Sequence, residues 1–242
     1  MKILLIVEII SIVIATILRL WHAGKMNIVG EVNDGSVILV AGMFNQADSA
    51  FNLLRLPNRH YVYANFSNLG FDAASAGKQL LRLIKDNPIY GISIGAKVSA
   101  YAEAEKAIWI NPCIDPKTLK GNLYWPIKIG APILEAVSCL LGVIAFLPII
   151  PTGIAGNYSI ALLADQLFCI GYGSPTVAPS DTKAIILSSQ DEFLDNGKVV
   201  EICGCNQCYV IIDTMHGRTA DPAVSEWYSR AIENLLDKIP SL

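Results

Sequence analysis

Ser93 stands between two glycines in the segment Gly91-Ile92-Ser93-Ile94-Gly95. The run Pro88-Ile89-Tyr90 ahead of it reads as a strand, and the segment from Lys97 to Glu105 behind it reads as a helix. A serine on a tight strand-to-helix turn has its hydroxyl pushed into the open, beside the free N–H groups that begin the helix. Gly91 and Gly95 lack the Cβ that would keep the two elements apart. The same five residues also suit an ordinary turn, so the serine needs partners before it counts as a nucleophile. Its hydroxyl is a poor attacking group until a base takes the proton, and the base needs a carboxylate to fix its tautomer.

The chain has three histidines. His22 falls at the end of an apolar N-terminal run and His60 opens a strand, which leaves His216, in Met215-His216-Gly217-Arg218 after the last strand. Asp191 follows the penultimate strand, where its side chain can reach the loop that carries His216. Glu192 and Asp195 lie close enough to be confused with it. Asp115, beyond the strand that follows the Ser93 helix, is the rival acid, and Asp191 is the favoured one.

These residues need a scaffold that brings distant strand ends together. Ser36–Gly42, His60–Phe66, Pro88–Ser93, Lys106–Pro112, Lys183–Gln190 and Tyr209–Met215 are short apolar or β-rich runs, several of them separated by segments of helical periodicity. That alternation predicts a mostly parallel, doubly wound sheet with helices on both faces, and active groups gather outside the carboxyl ends of such strands. Asp72 is expected to cap the helix after Ala73, and Asn33-Asp34-Gly35 is expected to turn a hairpin. Ser225–Ile239 reads as a closing amphipathic helix.

With 242 residues, 53% of them hydrophobic and 16% charged, the chain is more apolar than most soluble proteins. A net charge of -3 offers no basic surface for nucleic acid. Residues 3–20 are almost unbroken hydrocarbon apart from Glu8 and Arg19, and as a helix they would cover about 27 Å, close to one bilayer core. The bulky residues that follow do not suit a signal-peptidase site, so residues 1–25 are read as an uncleaved single-pass anchor, with Trp21 at the interface and Lys25 as a stop. Arg19 and Lys25 against Lys2 tilt the main domain toward the cytoplasmic side.

Residues 121–180 hold only three charged side chains, Lys128, Glu135 and Asp165, and read as an insertion, too apolar to be a linker. Its apolar run, residues 132–151, is suited to lining an acyl pocket or dipping into lipid. The thiols Cys203, Cys205 and Cys208 have no convincing fourth ligand, and no metal site is expected.

Taken together, the Gly91–Gly95 elbow around Ser93, Ser188-Ser189-Gln190-Asp191, the His216 loop with its closing helix, and Val37–Phe44 resemble the α/β-hydrolase family, from about residue 35 to the carboxyl end. The family's order of serine, acid and histidine is the order here. Ser188 stands where the family has a glycine, and Ala41-Gly42 where it usually has His-Gly. The resemblance implies a domain over residues 26–242 with a helical cap at about 116–181, and acyl transfer through Ser93, His216 and Asp191. It also implies an oxyanion hole formed by the N–H groups of Met43 and Ile94, and no cofactor. The apolar insertion suggests a hydrophobic ester or thioester as substrate, and membrane lipid is expected as a second partner. The alternative is a hydrolase-like module that has lost turnover and acts as a membrane-bound interaction partner.

Overall fold

Strand runs such as Val37-Ile38-Leu39-Val40 carry apolar side chains on both faces, and both faces are covered. Val37 and Leu39 pack into one buried cluster, Ile38 and Val40 into another. The computed structural model of the chain describes residues 2–43, 46–54, 56, 59–84, 87–152, 156–177, 183–204 and 209–239.

In chain order these form α1 (Lys2–His22), β1 (Met26–Val29), β2 (Val37–Val40), α2 (Ala47–Phe51), β3 (Tyr61–Phe66), α3 (Ala73–Ile84), β4 (Ile89–Ile92), α4 (Ile94–Tyr101) and β5 (Ala107–Ile110). A long excursion follows: a short turn of 3-10 helix at Pro116–Thr118, α5 (Gly121–Leu140), another at Gly142–Phe146, the hairpin of β6 (Pro148–Thr152) and β7 (Gly156–Ser159), and α6 (Ile160–Tyr172). The chain then returns through β8 (Lys183–Ser188), α7 (Asn196–Cys203), β9 (Tyr209–Ile212) and α8 (Ser225–Lys238).

Among the described residues the main sheet has seven strands in the order β1-β3-β2-β4-β5-β8-β9. Every pair is parallel except β1 with β3. One face is covered by α3, α4, α6 and α7, with Leu80, Ile94, Leu162 and Val199 in the buried cluster. The other is covered by α2 and α8, through Phe51, Tyr228, Ile232 and Leu235. Asp72 caps α3 as its sequence predicts, its Oδ1 accepting from the N–H of Ser75 at 2.7 Å.

The expected hairpin at Asn33-Asp34-Gly35 is a turn without a hairpin. The N–H of Ser36 does reach the carbonyl of Asn33 at 3.0 Å, and Gly35 takes a φ of +84°. Yet β1 and β2 are not neighbours, because β3 lies between them and pairs with both. Local turn chemistry fixes the bend, while strand pairing is decided by which edges remain open.

Between residues 129 and 147 many of the large side chains point outward. Within α5 only Ala131 and Ser138 are buried, while Ile129, Ile133, Val137 and Leu140 are exposed. Helix α1 is the one helix among the described residues long and apolar enough to cross a membrane, a property that an anchor and a signal sequence share. Arg19 does not flank it as a free charge: it is buried and paired with Glu135 and Asp165. The basic bias that orients the chain therefore shrinks to Lys2 against Lys25.

Candidate active site

Ser93 occupies the turn between β4 and α4 with φ 52° and ψ -112°, a left-handed conformation uncommon for a residue with a Cβ. The turn is held by backbone bonds: the N–H of Ser93 donates to Ile110 at 2.9 Å, and its carbonyl accepts from Ala96 and Cys113 at 3.2 Å each. The flanking glycines are demanded by contact. A Cβ on Gly91 would stand 2.8 Å from the Ala96 nitrogen, and one on Gly95 would stand 2.4 Å from the carbonyl oxygens of Val40 and Ala41. The close packing of β2, β4 and α4 that presents Ser93 leaves no room for a side chain at either place.

His216 lies in the loop after β9 and reaches both partners. Its Nε2 is 3.0 Å from Ser93 Oγ and its Nδ1 is 2.7 Å from Asp191 Oδ2. Phe193 meets the imidazole edge-on, with ring centroids 5.2 Å apart. The backbone N–H of His216 donates to Glu192 Oε2 at 3.1 Å.

Asp191 is buried, which by itself pushes its carboxyl up. The bond and charge of His216, with the N–H groups of Leu194 and Phe193 at 2.8 Å each, outweigh burial and hold it below the usual carboxylate range. An ionised Asp191 can only accept, so Nδ1 must carry the proton it donates. In neutral imidazole that leaves Nε2 as the acceptor for the Ser93 hydroxyl.

The other candidates lie elsewhere. Asp115 caps the Pro116–Thr118 turn, its Oδ1 accepting from Lys117 N–H at 2.7 Å. Asp195 caps α7 through Gly197 and Lys198. His60 Nε2 bonds the carbonyl of Glu31 at 2.7 Å, and His22 Nδ1 lies 3.1 Å from Ser67 Oγ. Gly42 runs against the elbow, where a Cβ would come 3.2 Å from Ser93 Cβ. The half-buried Met43 after it and the buried Ile94 at the start of α4 are thus the neighbours in sequence of two touching residues.

Sequence reasoning missed Asn111. It is buried at the end of β5 with φ 45°, and its Nδ2 donates to Asp191 Oδ2 at 2.9 Å. Its Oδ1 accepts from Ser188 Oγ at 3.0 Å and from Gly217 N–H at 3.3 Å, so one amide joins the acid to the histidine loop. The available sign was an asparagine at a strand end just before a proline. Ser188, where the resemblance expects glycine, is used: its hydroxyl also lies 3.2 Å from Tyr228 Oη.

Lys97, on the first turns of α4, is fully buried, which pulls its ammonium down, and its Nζ donates to the carbonyl of Cys169 at 2.5 Å. Burial pushes the thiols of Cys113 and Cys169 up to about 11 and about 12, so both stay protonated and unreactive near neutral pH. Cys203 is buried, whereas Cys205 and Cys208 lie outside the described residues. Among the described residues no group of three or more His, Cys, Asp or Glu is placed to hold a metal. A cleft of about 510 Å³ opens between the start of α5 and α7, lined by Leu119, Tyr124, Trp125, Lys198 and others. Ser93, Asp191 and His216 are not part of its lining.

No protein-family profile matches the sequence, and no curated protein matches it. Solved structures do match in shape. A monoacylglycerol lipase from Paleococcus ferrophilus superposes with a TM-score of 0.57 at 15% identity, over 88% of this chain and 99% of that one. A thermophilic esterase from Thermogutta terrifontis gives 0.62 at 11% identity, over 88% and 93%. A hydrolase from Oleispira antarctica gives 0.61 at 10% identity, over 88% and 95%. At these identities the likeness is one of fold.

Proposed function

We propose that this chain, which has the α/β-hydrolase fold, is a membrane-anchored serine hydrolase that cleaves the ester or thioester of a hydrophobic acyl group. The observation that carries the reading is the continuous hydrogen-bonded line from Ser93 Oγ through His216 to Asp191, with spans of 3.0 and 2.7 Å. The solved structures of similar fold include a monoacylglycerol lipase and esterases, which supports an ester as the bond attacked.

In this reading Ser93 Oγ bonds to the carbonyl carbon as His216 Nε2 takes its proton. Asp191 stabilises the imidazolium. The oxyanion is met by the N–H groups of Ile94 and Met43, each such donor typically contributing about 3 kcal/mol. Collapse expels the alcohol or thiol, which leaves with the proton from His216. Water, activated by the same imidazole, then attacks the acyl-serine, returns Ser93 and releases the acid. No step needs a metal or an organic cofactor.

Residues 1–25 serve as the anchor and 26–242 as the hydrolase domain, with residues 116–181 as a cap over the site. A series of p-nitrophenyl esters of rising acyl length tests this. Hydrolysis that favours long chains and vanishes in Ser93→Ala is expected; folded protein without turnover on any ester or thioester points to a non-catalytic module.

A further inference from the structure

Helix α1 is long enough to cross a bilayer, but less than half of it is free on every side. Residues 3–10 are exposed, whereas from Ser11 onward one face packs on the inserted segment. Ser11 Oγ accepts the N–H of Val143 at 3.0 Å, and Ala15 and Arg19 are buried. Arg19 is clamped by Glu135 at 2.5 Å, by Asp165, and by Ser138 Oγ and Cys139 Sγ at 3.4 and 3.3 Å. The free part, residues 3–10, measures about 12 Å as helix, less than half of a hydrocarbon core of about 30 Å. A bilayer that covers α1 along its length must therefore rise around the segment docked beside Ser11.

That segment is dressed for it. Leu140 is 66% exposed and Ile144 58%, at the level where Val143 meets Ser11. Along α5, Trp125, Ile129, Ile133 and Val137 recur every fourth residue and are all exposed, one apolar stripe of a helix whose buried residues are Ala131 and Ser138. The charges of this segment are engaged: Glu135 and Asp165 both pair with Arg19, and Lys128 sits 4.2 Å from the Tyr172 ring and 5.9 Å from that of Tyr124, the basic and aromatic pairing that suits a headgroup layer.

We propose that α5 and the Gly142–Phe146 turn form a lipid-embedded surface continuous with α1, so that the hydrolase domain is set into one leaflet rather than tethered above it. The partner is the acyl-chain region of a phospholipid bilayer, argued from the continuity of this face with α1 and from the shortness of the free helix. The inference rests on the reading of α1 as an anchor, and its test separates the two.

The full chain is reconstituted in phosphatidylcholine vesicles with an environment-sensitive fluorescent amino acid at one position at a time, replacing Ile6, Leu140, Ile144 or, as an aqueous control, the exposed Glu233 on α8. All four sites are exposed, and circular dichroism checks each variant for native structure. The result expected is loss of emission to acyl-brominated lipid, with protection from aqueous iodide, at 6, 140 and 144, and the reverse at 233. Bromolipid quenching at 6 with iodide quenching at 140 and 144 overturns the proposal and leaves a tethered enzyme. Iodide quenching at 6 overturns both the proposal and the anchor. Protection of 140 and 144 from both quenchers means that a second copy covers the face, and overturns the proposal as well.

Discussion

Asp191 and Asp165 are both largely buried and both face a nitrogen base, yet their carboxyls are driven in opposite directions. Asp191, at the sheet rim, accepts four hydrogen bonds, from His216, Asn111 and the N–H groups of Phe193 and Leu194, and stays below the usual carboxylate range. Asp165, on α6, accepts from Arg19 and from Phe71 N–H at 3.0 Å, but burial and the charge of Glu135 beside it push it up to about 6. Neutral N–H donors bring partial positive charge without a second anion, whereas an arginine shared by two acids leaves one negative charge uncompensated. One carboxylate is set up to hold an imidazole, the other to hold a helix.

The largest expected effect at the rim is Asp191→Asn. An amide there no longer enforces the proton on Nδ1, and turnover of a soluble ester should fall about 10⁴-fold with little change in KM. The counterpart at the insertion is Arg19→Met, which strands Glu135 and Asp165 and should cost about 3–5 kcal/mol of stability in detergent unfolding, while the folded fraction still turns over a soluble ester. If the two effects were exchanged, with Asp191→Asn costing only stability and Arg19→Met only turnover, the division of labour would be wrong.

A smaller effect follows from Asn111→Ala, which removes one bond to a charged group. A fall in kcat of about 10- to 100-fold is expected, with Asp191→Asn and the double variant nearly equal because both act on the same imidazole.

The pH dependence of thermal stability sharpens the contrast further. A carboxyl whose folded pKa is depressed stabilises above its unfolded value, so the wild type's advantage over Asp191→Asn should shrink as pH falls below about 4. A carboxyl raised to about 6 binds its proton more tightly when folded. The wild type should therefore gain stability relative to Asp165→Asn as pH falls from 7 to 5.

The rim was more legible in the sequence than the insertion, for a physical reason. A strand-to-helix turn as tight as that at Ser93 excludes Cβ atoms, and exclusion leaves a trace in residue type at Gly91 and Gly95. Continuous apolar strands likewise announce a sheet covered on both sides. Asn111 and Ser188 left no such trace, because each acts on a group about 80 residues away, Asn111 on Asp191 and Ser188 on Asn111, and any polar residue at a strand end looks alike. Arg19 was misjudged for the same reason: its partners lie 116 and 146 residues further on, and composition alone gave an apolar helix with a flanking charge. The hairpin failed because Gly35 dictates a bend without dictating what pairs beyond it.

The most direct test of the relay is the rate at which a fluorophosphonate forms its adduct on the Ser93 peptide, followed by mass spectrometry in the wild type, His216→Ala and Asp191→Asn. Rapid modification confined to Ser93, with loss of the rate in both variants while circular dichroism stays native, is the predicted result. Modification at another residue, or a rate at Ser93 indifferent to His216, would contradict it.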